Sequence, residues 1–507
     1  MIKELPLLIP QASLFWTAFM YYPGALGYHL IYMRELMRSK FSVSVPGPRI
    51  VSPSTLRRDY PAWKPLHGQY GTVMYETQMH DSRMNLNSLF TASIDNFHPG
   101  MKGATLANYT QLSSLTKNEA GQITGAQVKD LIGDKEFSVK AKCVVNCTGV
   151  HADVVRKMDK PEVEDRIVPS RGTHLVFKKG LFDGCSGIII PQTSDGRLIY
   201  VINYMGHPMA GTTDIVTESE HEVKPDQSEI DFIINELKPY LGHDYDYQAN
   251  LQSAWAGLRP LVKSAEGDAV LNKDDQSPTL KKRLSLFMQG RLRWLAFKVN
   301  GSKKKSTKAL ARNHVIETSE SGLVSLMGGK WTAYRIQGEH CVDHILQADR
   351  ERAQKEGNAR AFQPAEEEGQ TLNFNLLGSY SKVEVKHTLT QTPAKLFKGY
   401  EDHFVFEYSV PREVAKHLIE TYGTSAIRVV KLGKENNMLE RIHPDYPFCE
   451  AEILYAIREE MAQKPNDVAC RRVPLAFLDE KIAKEVLLPK VTEILAKEKK
   501  WSAEKQA

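Results

Sequence analysis

The chain has 507 residues, enough for two or three domains, and 42% of them are hydrophobic, so it can bury a large core. Charged residues make up 25% and the formal net charge is +5, which excludes a disordered polyion and gives no footprint of a nucleic-acid binder. The six cysteines (Cys143, Cys147, Cys185, Cys341, Cys449 and Cys470) form no CxxC pair, a usage that fits a reduced compartment without structural disulfides or a zinc site.

From Leu5 to Met33 there is no Asp, Glu, Lys or Arg. That length would span a bilayer. Pro10, Pro23, Gly24 and Gly27 interrupt it, so a buried or interfacial pair of short helices is expected instead. Glu4 spoils the basic start of a signal peptide. Residues 139–149, VKAKCVVNCTG, predict a strand ending in a turn at Thr148-Gly149, and GTHLVF (172–177) a short strand. Residues 187–213 predict an antiparallel meander with turns at 193–196 and 205–207. DFIINELKPYL (231–241) has helical spacing, and HVIE and LVSLM flank a turn at 318–322. A helix is predicted from near Lys330 to about Gln354. Residues 356–371 are polar and read as linker, and 411–422, 450–463 and 480–498 read as helices. Strands followed by helices predict an α/β portion and a separate helical C-terminal domain.

GGKWTAYR (328–335) has some ingredients of a phosphate loop but not the spacing G-x-x-x-x-G-K-[ST]. VVNCTG (144–149), GTTD (211–214) and GLRPL (257–261) are equally weak singly, since most such strand ends are only turns. Their order carries more. VVNCTGVHAD, PSRGTHLV, PQTSDGRL, GTTD, AGLRPL and GGKWTAYR follow one another, with HDSRMNL (80–86) before them and HPDYPF…AFLD (443–479) after. This set resembles the FAD-dependent glycerol-3-phosphate dehydrogenases of the mitochondrial and bacterial membrane-associated kind, over about residues 5–503.

The resemblance implies oxidation of sn-glycerol 3-phosphate at C2, with hydride passing to FAD, dihydroxyacetone phosphate as product and quinone as electron acceptor. It implies a mitochondrial protein on the inner membrane surface, with no nucleic acid and no metal. The implied fold is α/β, a truncated FAD-binding Rossmann-like portion with an antiparallel substrate-binding sheet, plus an all-α C-terminal domain. Residues 1–355 would be the oxidoreductase domain, with a basic insert at 276–308; 356–399 a linker; and 400–507 the helical domain. Thr148, Gly149, Gly328, Gly329 and Thr332 become candidate flavin contacts. Arg259 and Lys330 look like the residues that hold the substrate phosphate, with Thr213 and Asp214 beside them; with His174, the candidate base, they form the candidate catalytic set. The structural alternatives are a buried ion pair for Arg259, a core role for His174, a helix cap for Asp214 and a carboxylate neighbour for Arg335.

The sequence departs from the pattern in places. Cys147 stands where the family usually has Ala, and Val150-His151 where it has Pro-Trp. No G-x-G-x-x-G occurs, and residue 1 aligns inside the family pattern, so a member lacking its front end is expected, which alone holds no stoichiometric FAD and folds poorly. An inactive membrane-associated remnant and another FAD-dependent amine or hydroxy-acid oxidoreductase are the alternatives. Residues 280–308 carry ten Lys or Arg and no acid, and 280–305 is expected to form an amphipathic interfacial element.

Overall fold

The computed structural model describes residues 2–39, 45–181, 187–220, 222–263, 314–355, 370–379 and 393–502. The basic insert expected at 276–308 and most of the expected linker lie outside these residues. Along the chain the strands are β1 (Ile2–Gln11), β2 (Arg49–Val51), β3 (Tyr70–Met79), β4 (Thr110–Lys117), β5 (Ile123–Asp130), β6 (Lys135–Lys140), β7 (Val144–Asn146), β8 (Ile167–Phe177), β9 (Gly187–Ile190), β10 (Ile199–Tyr204), β11 (His207–Gly211), β12 (Ile215–Val216), β13 (Leu251–Val262), β14 (His314–Thr318) and β15 (Leu323–Gly328).

The largest sheet is built around β8. Its one edge pairs with β13 from Leu251↔Phe177 to Val262↔Ile167. Its other edge takes β11 and β12, and the sheet continues through β10, β9, β1 and β3 to β2. The meander expected at 187–213 is β9, β10 and β11, all antiparallel. Helix Gln227–Leu241 buries Ile233, Leu237 and Leu241, a stripe at every fourth position, against the core that holds Leu8, Trp63, Leu175 and Phe177. Its capping box joins Asp226 and Glu229. Two smaller sheets have the orders β14-β15-β7 and β4-β5-β6.

The N-terminus corrects the sequence reading. Residues 2–11 are not helical; β1 pairs along its whole length with β3. From Leu5 to Gln11 the strand carries no charge because it is interior sheet, with Leu7 and Leu8 buried on its opposite faces. Its prolines are tolerated because, among the described residues, β9 pairs with β1 only at Leu7 and Leu8. Helical residues follow from Leu14 to Ser39. The strand expected at 139–149 is also two elements, since β6 ends at Lys140 in one sheet and β7 begins at Val144 in another.

Helices Pro393–Tyr408, Arg412–Tyr422, Ala426–Asn436, Glu450–Arg458 and Leu488–Lys499 form the C-terminal part. Helix Pro393–Tyr408 starts inside the stretch expected as linker, and Glu450–Arg458 stops short of the expected end at 463. Two cores fill this part, one around Phe404, Leu418 and Val429, the other around Phe448, Leu454 and Leu487. It meets the large sheet at β13, where Ser253 Oγ donates to the Phe477 carbonyl at 2.5 Å and Gln252 Nε2 donates to Asp479 at 2.8 Å.

Candidate active site

Residues two apart on a strand share a face. On β13 this groups Trp255, Gly257 and Arg259; on β8 it groups Ser170, Gly172 and His174, and the register sets His174 opposite Trp255, Gly172 opposite Gly257 and Ser170 opposite Arg259. The His174 imidazole stacks on the Trp255 indole, with ring centroids 4.5 Å apart and planes 19° apart. Burial first, and the Arg259 charge second, hold the His174 pKa down at about 4, so the ring is neutral at pH 7. Its Nδ1 is enclosed without a partner among the described residues.

The Arg259 guanidinium is held by its neighbours on the loop after β11. It donates to Thr212 Oγ1 at 2.9 Å and to the Thr213 carbonyl at 3.1 Å, and Asp214 lies 3.8 Å away. Asp214 also accepts from the Ser170 hydroxyl. The Arg259 side chain keeps 35% exposure and that of Asp214 15%. Thr213 is only 1% exposed. Its hydroxyl donates to buried Glu229 at 2.5 Å and accepts from the Thr173 amide at 2.8 Å, so it anchors the loop and presents its carbonyl to Arg259.

Glycines make the room. A Cβ on Gly211 would lie 2.5 Å from His174 Cδ2, and one on Gly172 would lie 2.3 Å from Arg259 Nη1. A Cβ on Gly257 would meet nothing within 4 Å. The face thus has a side-chain-free floor at Gly257, walled by the His174–Trp255 stack on one side and Arg259 on the other.

The second half of the site is a pair of strand ends. β7 and β15 run parallel, with Val144 opposite Leu323 and Asn146 opposite Ser325. Each ends in glycines with left-handed backbone: Gly149 at φ 61°, Gly328 at 74° and Gly329 at 81°. Thr148 accompanies Gly149 and is bound to Asn146, its hydroxyl donating to Oδ1 at 2.7 Å. After β15, Lys330 and Thr332 are exposed, a short turn spans Trp331–Ala333, and the α-helix runs Tyr334–Lys355. Gln337 Nε2 donates to the Lys330 carbonyl at 2.7 Å, and a Cβ on Gly329 would strike that amide at 2.9 Å. Arg335 pairs with Glu339 at 2.5 Å, as a helix neighbour four residues on.

The two halves adjoin. Met327 of β15, Ala152, and the Ile167–Val262 end of the β8–β13 pair share one buried cluster. His174, Arg259 and Asp214 therefore sit on a sheet whose end packs beside the turns of Gly149 and Gly328–Gly329. Ligands of parallel α/β sheets bind outside the carboxyl ends of the strands. A Cβ on Gly149 would project into open space, so the backbone there is approachable by a planar group. These residues fit the isoalloxazine end of FAD: Thr148, Gly149, Gly328, Gly329 and Thr332 would border it. Sequence reasoning missed Trp255, Gly172, Gly211 and Gly257. The alternation W-A-G-L-R (255–259) beside G-T-H (172–174) is the signal that would have found all but Gly211.

This is the architecture of a flavin-dependent oxidoreductase, and comparison with known proteins agrees. The FAD dependent oxidoreductase family model matches residues 19–335, and that of the C-terminal domain of alpha-glycerophosphate oxidase matches 369–506. The mitochondrial glycerol-3-phosphate dehydrogenase of Arabidopsis thaliana is 30% identical over 494 residues, covering 97% of this chain and 68% of its own. That of Rattus norvegicus is 31% identical over 509 residues, covering 98% of this chain and 59% of its own. A probable mitochondrial glycerol-3-phosphate dehydrogenase of Caenorhabditis elegans is 30% identical, and this chain spans 60% of its length. The structure of glycerol-3-phosphate dehydrogenase from Bacillus halodurans, complexed with FAD, shares the fold with a TM-score of 0.65 at 18% identity, over 100% of this chain and 79% of that one. The chain belongs to the FAD-dependent oxidoreductase family, in its mitochondrial-type glycerol-3-phosphate dehydrogenase branch.

Proposed function

We propose that this chain serves the FAD-dependent oxidation of sn-glycerol 3-phosphate to dihydroxyacetone phosphate, with electrons passed to quinone. The observation that supports it best is the floor at Gly257, with His174 and Arg259 on its two sides. Trp255 and Arg259 are four residues apart, about 13 Å along the strand, which suits a three-carbon phosphate ester. Arg259 and Lys330 would bind the phosphate dianion by charge-assisted hydrogen bonds. Asp214 and the Thr212–Thr213 segment keep the guanidinium aimed. His174, neutral at pH 7, takes the proton of the C2 hydroxyl; Nδ1 is enclosed, so Nε2 is the accepting atom. FAD, when bound, accepts the hydride.

Residues 1–355 and 400–507 act in this reading as oxidoreductase and helical units joined through 356–399. The mitochondrial location rests on the names of the relatives. Contact with the inner membrane rests on the helical residues after β1, where Phe15 is 62% and Phe19 74% exposed. Among the described residues no helix is long and apolar enough to cross a membrane. The contact proposed is peripheral or monotopic.

The test is kinetic, in the flavin-loaded enzyme. Arg259→Ala and Lys330→Ala each remove a charge-assisted hydrogen bond of about 1.5–3 kcal/mol, which lowers kcat/KM for glycerol 3-phosphate about ten- to over a hundredfold. Oxidation of plain glycerol should change far less. Equal losses with both substrates would set these residues apart from the phosphate and overturn the reading.

A further inference from the structure

The helical C-terminal part reaches the candidate base through one aromatic contact. Behind the His174–Trp255 stack, the Trp255 ring meets Phe477, with centroids 5.0 Å apart and planes at 52°. Phe477 belongs to the short helix Leu475–Leu478, which packs on β13. Its position is fixed from both sides. Ser253 Oγ donates to the Phe477 carbonyl, and Asp479 accepts from Gln252 Nε2 and from the Tyr446 hydroxyl at 2.9 Å. On its other side His174 is confined by Gly211, where even a methyl group would not fit. The imidazole is thus a flat group clamped between the β11 backbone and an indole, and the indole is itself braced by the helical part.

We propose that Trp255 and Phe477 are positioning residues for His174, and that the helical C-terminal part thereby completes the active site. This rests on the reading of His174 as the base. The stack explains two features together. A ring sandwiched in this way keeps one rotamer, so its reacting nitrogen stays at a fixed place over the floor at Gly257. It also loses hydration on both faces, and desolvation is the larger cause of its lowered pKa, ahead of the Arg259 charge. Arg259 is the charged group that bears on the ring and is present in every variant below. Trp255 Nε1 is buried without a partner among the described residues, so the indole is set by ring contacts rather than by a hydrogen bond of its own.

The test follows the titration of His174 in the 507-residue chain, by NMR of histidine labelled with carbon-13 at Cε1. The signal lost in His174→Asn identifies it. In the unaltered chain the signal should stay that of a neutral imidazole from pH 8 to about 5. In Phe477→Ala and in Trp255→Ala the midpoint should rise toward the ordinary value of about 6.5, by about one pH unit or more. Trp255→Phe, which keeps a stacked ring, should stay close to the unaltered chain. In a flavin-loaded enzyme Phe477→Ala should lower kcat with KM for glycerol 3-phosphate little changed. Circular dichroism and thermal unfolding check that each variant folds, and Phe477→Leu, which keeps volume but not the ring, replaces Phe477→Ala if that variant does not. An unmoved His174 titration in a folded Phe477 variant, or a shift as large in Trp255→Phe as in Trp255→Ala, overturns the inference. The titration needs no turnover, so its failure is separate from failure of the proposed reaction, which the glycerol 3-phosphate kinetics decide.

Discussion

Gly211 and Gly172 shape the site by what they lack, and they respond differently to the same substitution. The atoms a new methyl would strike are Arg259 Nη1 and Nη2 at Gly172, and the His174 ring at Gly211. A guanidinium at the end of a long side chain can swing aside. The imidazole cannot, because Trp255 fills the other side. Gly211→Ala should therefore cost about 1–3 kcal/mol of stability through overpacking, and should lower kcat/KM for glycerol 3-phosphate by tenfold or more. Gly172→Ala should unfold close to the unaltered protein and act mainly on KM. Thermal unfolding beside steady-state kinetics of both variants distinguishes these outcomes; equal unfolding temperatures would show that His174 is not clamped. At this scale the sequence was partly legible. Motif order identified His174, Arg259 and the glycine turns. It could not say that the Thr213 hydroxyl is turned inward to Glu229, because that depends on a hydrogen bond between a loop and a helix.

Among the elements, the helix Asp81–Ser93 shows how a motif can be recognised without its reason. HDSRMNL is visible in the sequence, but the partner of Arg83 is Glu460, far along the chain. Arg83 is 1% exposed and its guanidinium lies 4.3 Å from the Tyr422 ring centroid. Arg472 donates to the Glu460 backbone carbonyl at 2.6 Å and its Nε lies 3.9 Å from the Glu460 carboxylate, so a buried ionic cluster joins the sheet part to the helical part. Removing one member leaves an uncompensated charge. Arg83→Met should cost about 3–5 kcal/mol, while the pair Arg83→Met with Glu460→Leu should recover part of that loss. Denaturant unfolding of Arg83→Met, Glu460→Leu and the double variant measures the coupling; strictly additive losses would show that the pair is not a unit. The misreading of residues 5–11, the front of the uncharged run 5–33, has a related cause. An apolar run without charge suits an interior strand as well as a helix, and only pairing with β3 decides between them.

For the whole molecule, the proposed transfer of electrons to quinone calls for a surface that meets a membrane. The helical residues after β1 offer one. Phe15 and Phe19, one turn apart with ring centroids at 5.1 Å, project with Trp16, Leu30 and Ile31, which are 49%, 60% and 57% exposed. They follow directly on β1, which is interior sheet. A large apolar side chain fully removed from water contributes about 1.5–3 kcal/mol. Each basic residue near an anionic surface adds about 1 kcal/mol, attenuated over roughly 8–10 Å by salt. The two contributions are separable. The intact chain should sediment with both neutral and anionic vesicles. The triple variant Phe15→Ser, Phe19→Ser, Ile31→Ser should lose neutral vesicles and retain weak, salt-sensitive binding to anionic ones. A chain lacking 280–305, the basic stretch outside the described residues, should keep neutral vesicles and lose the salt-sensitive part. If the triple variant sediments with neutral vesicles as well as the intact chain does, the apolar patch is not the membrane contact. If deletion of 280–305 leaves anionic binding at low salt unchanged, the basic stretch takes no part in it.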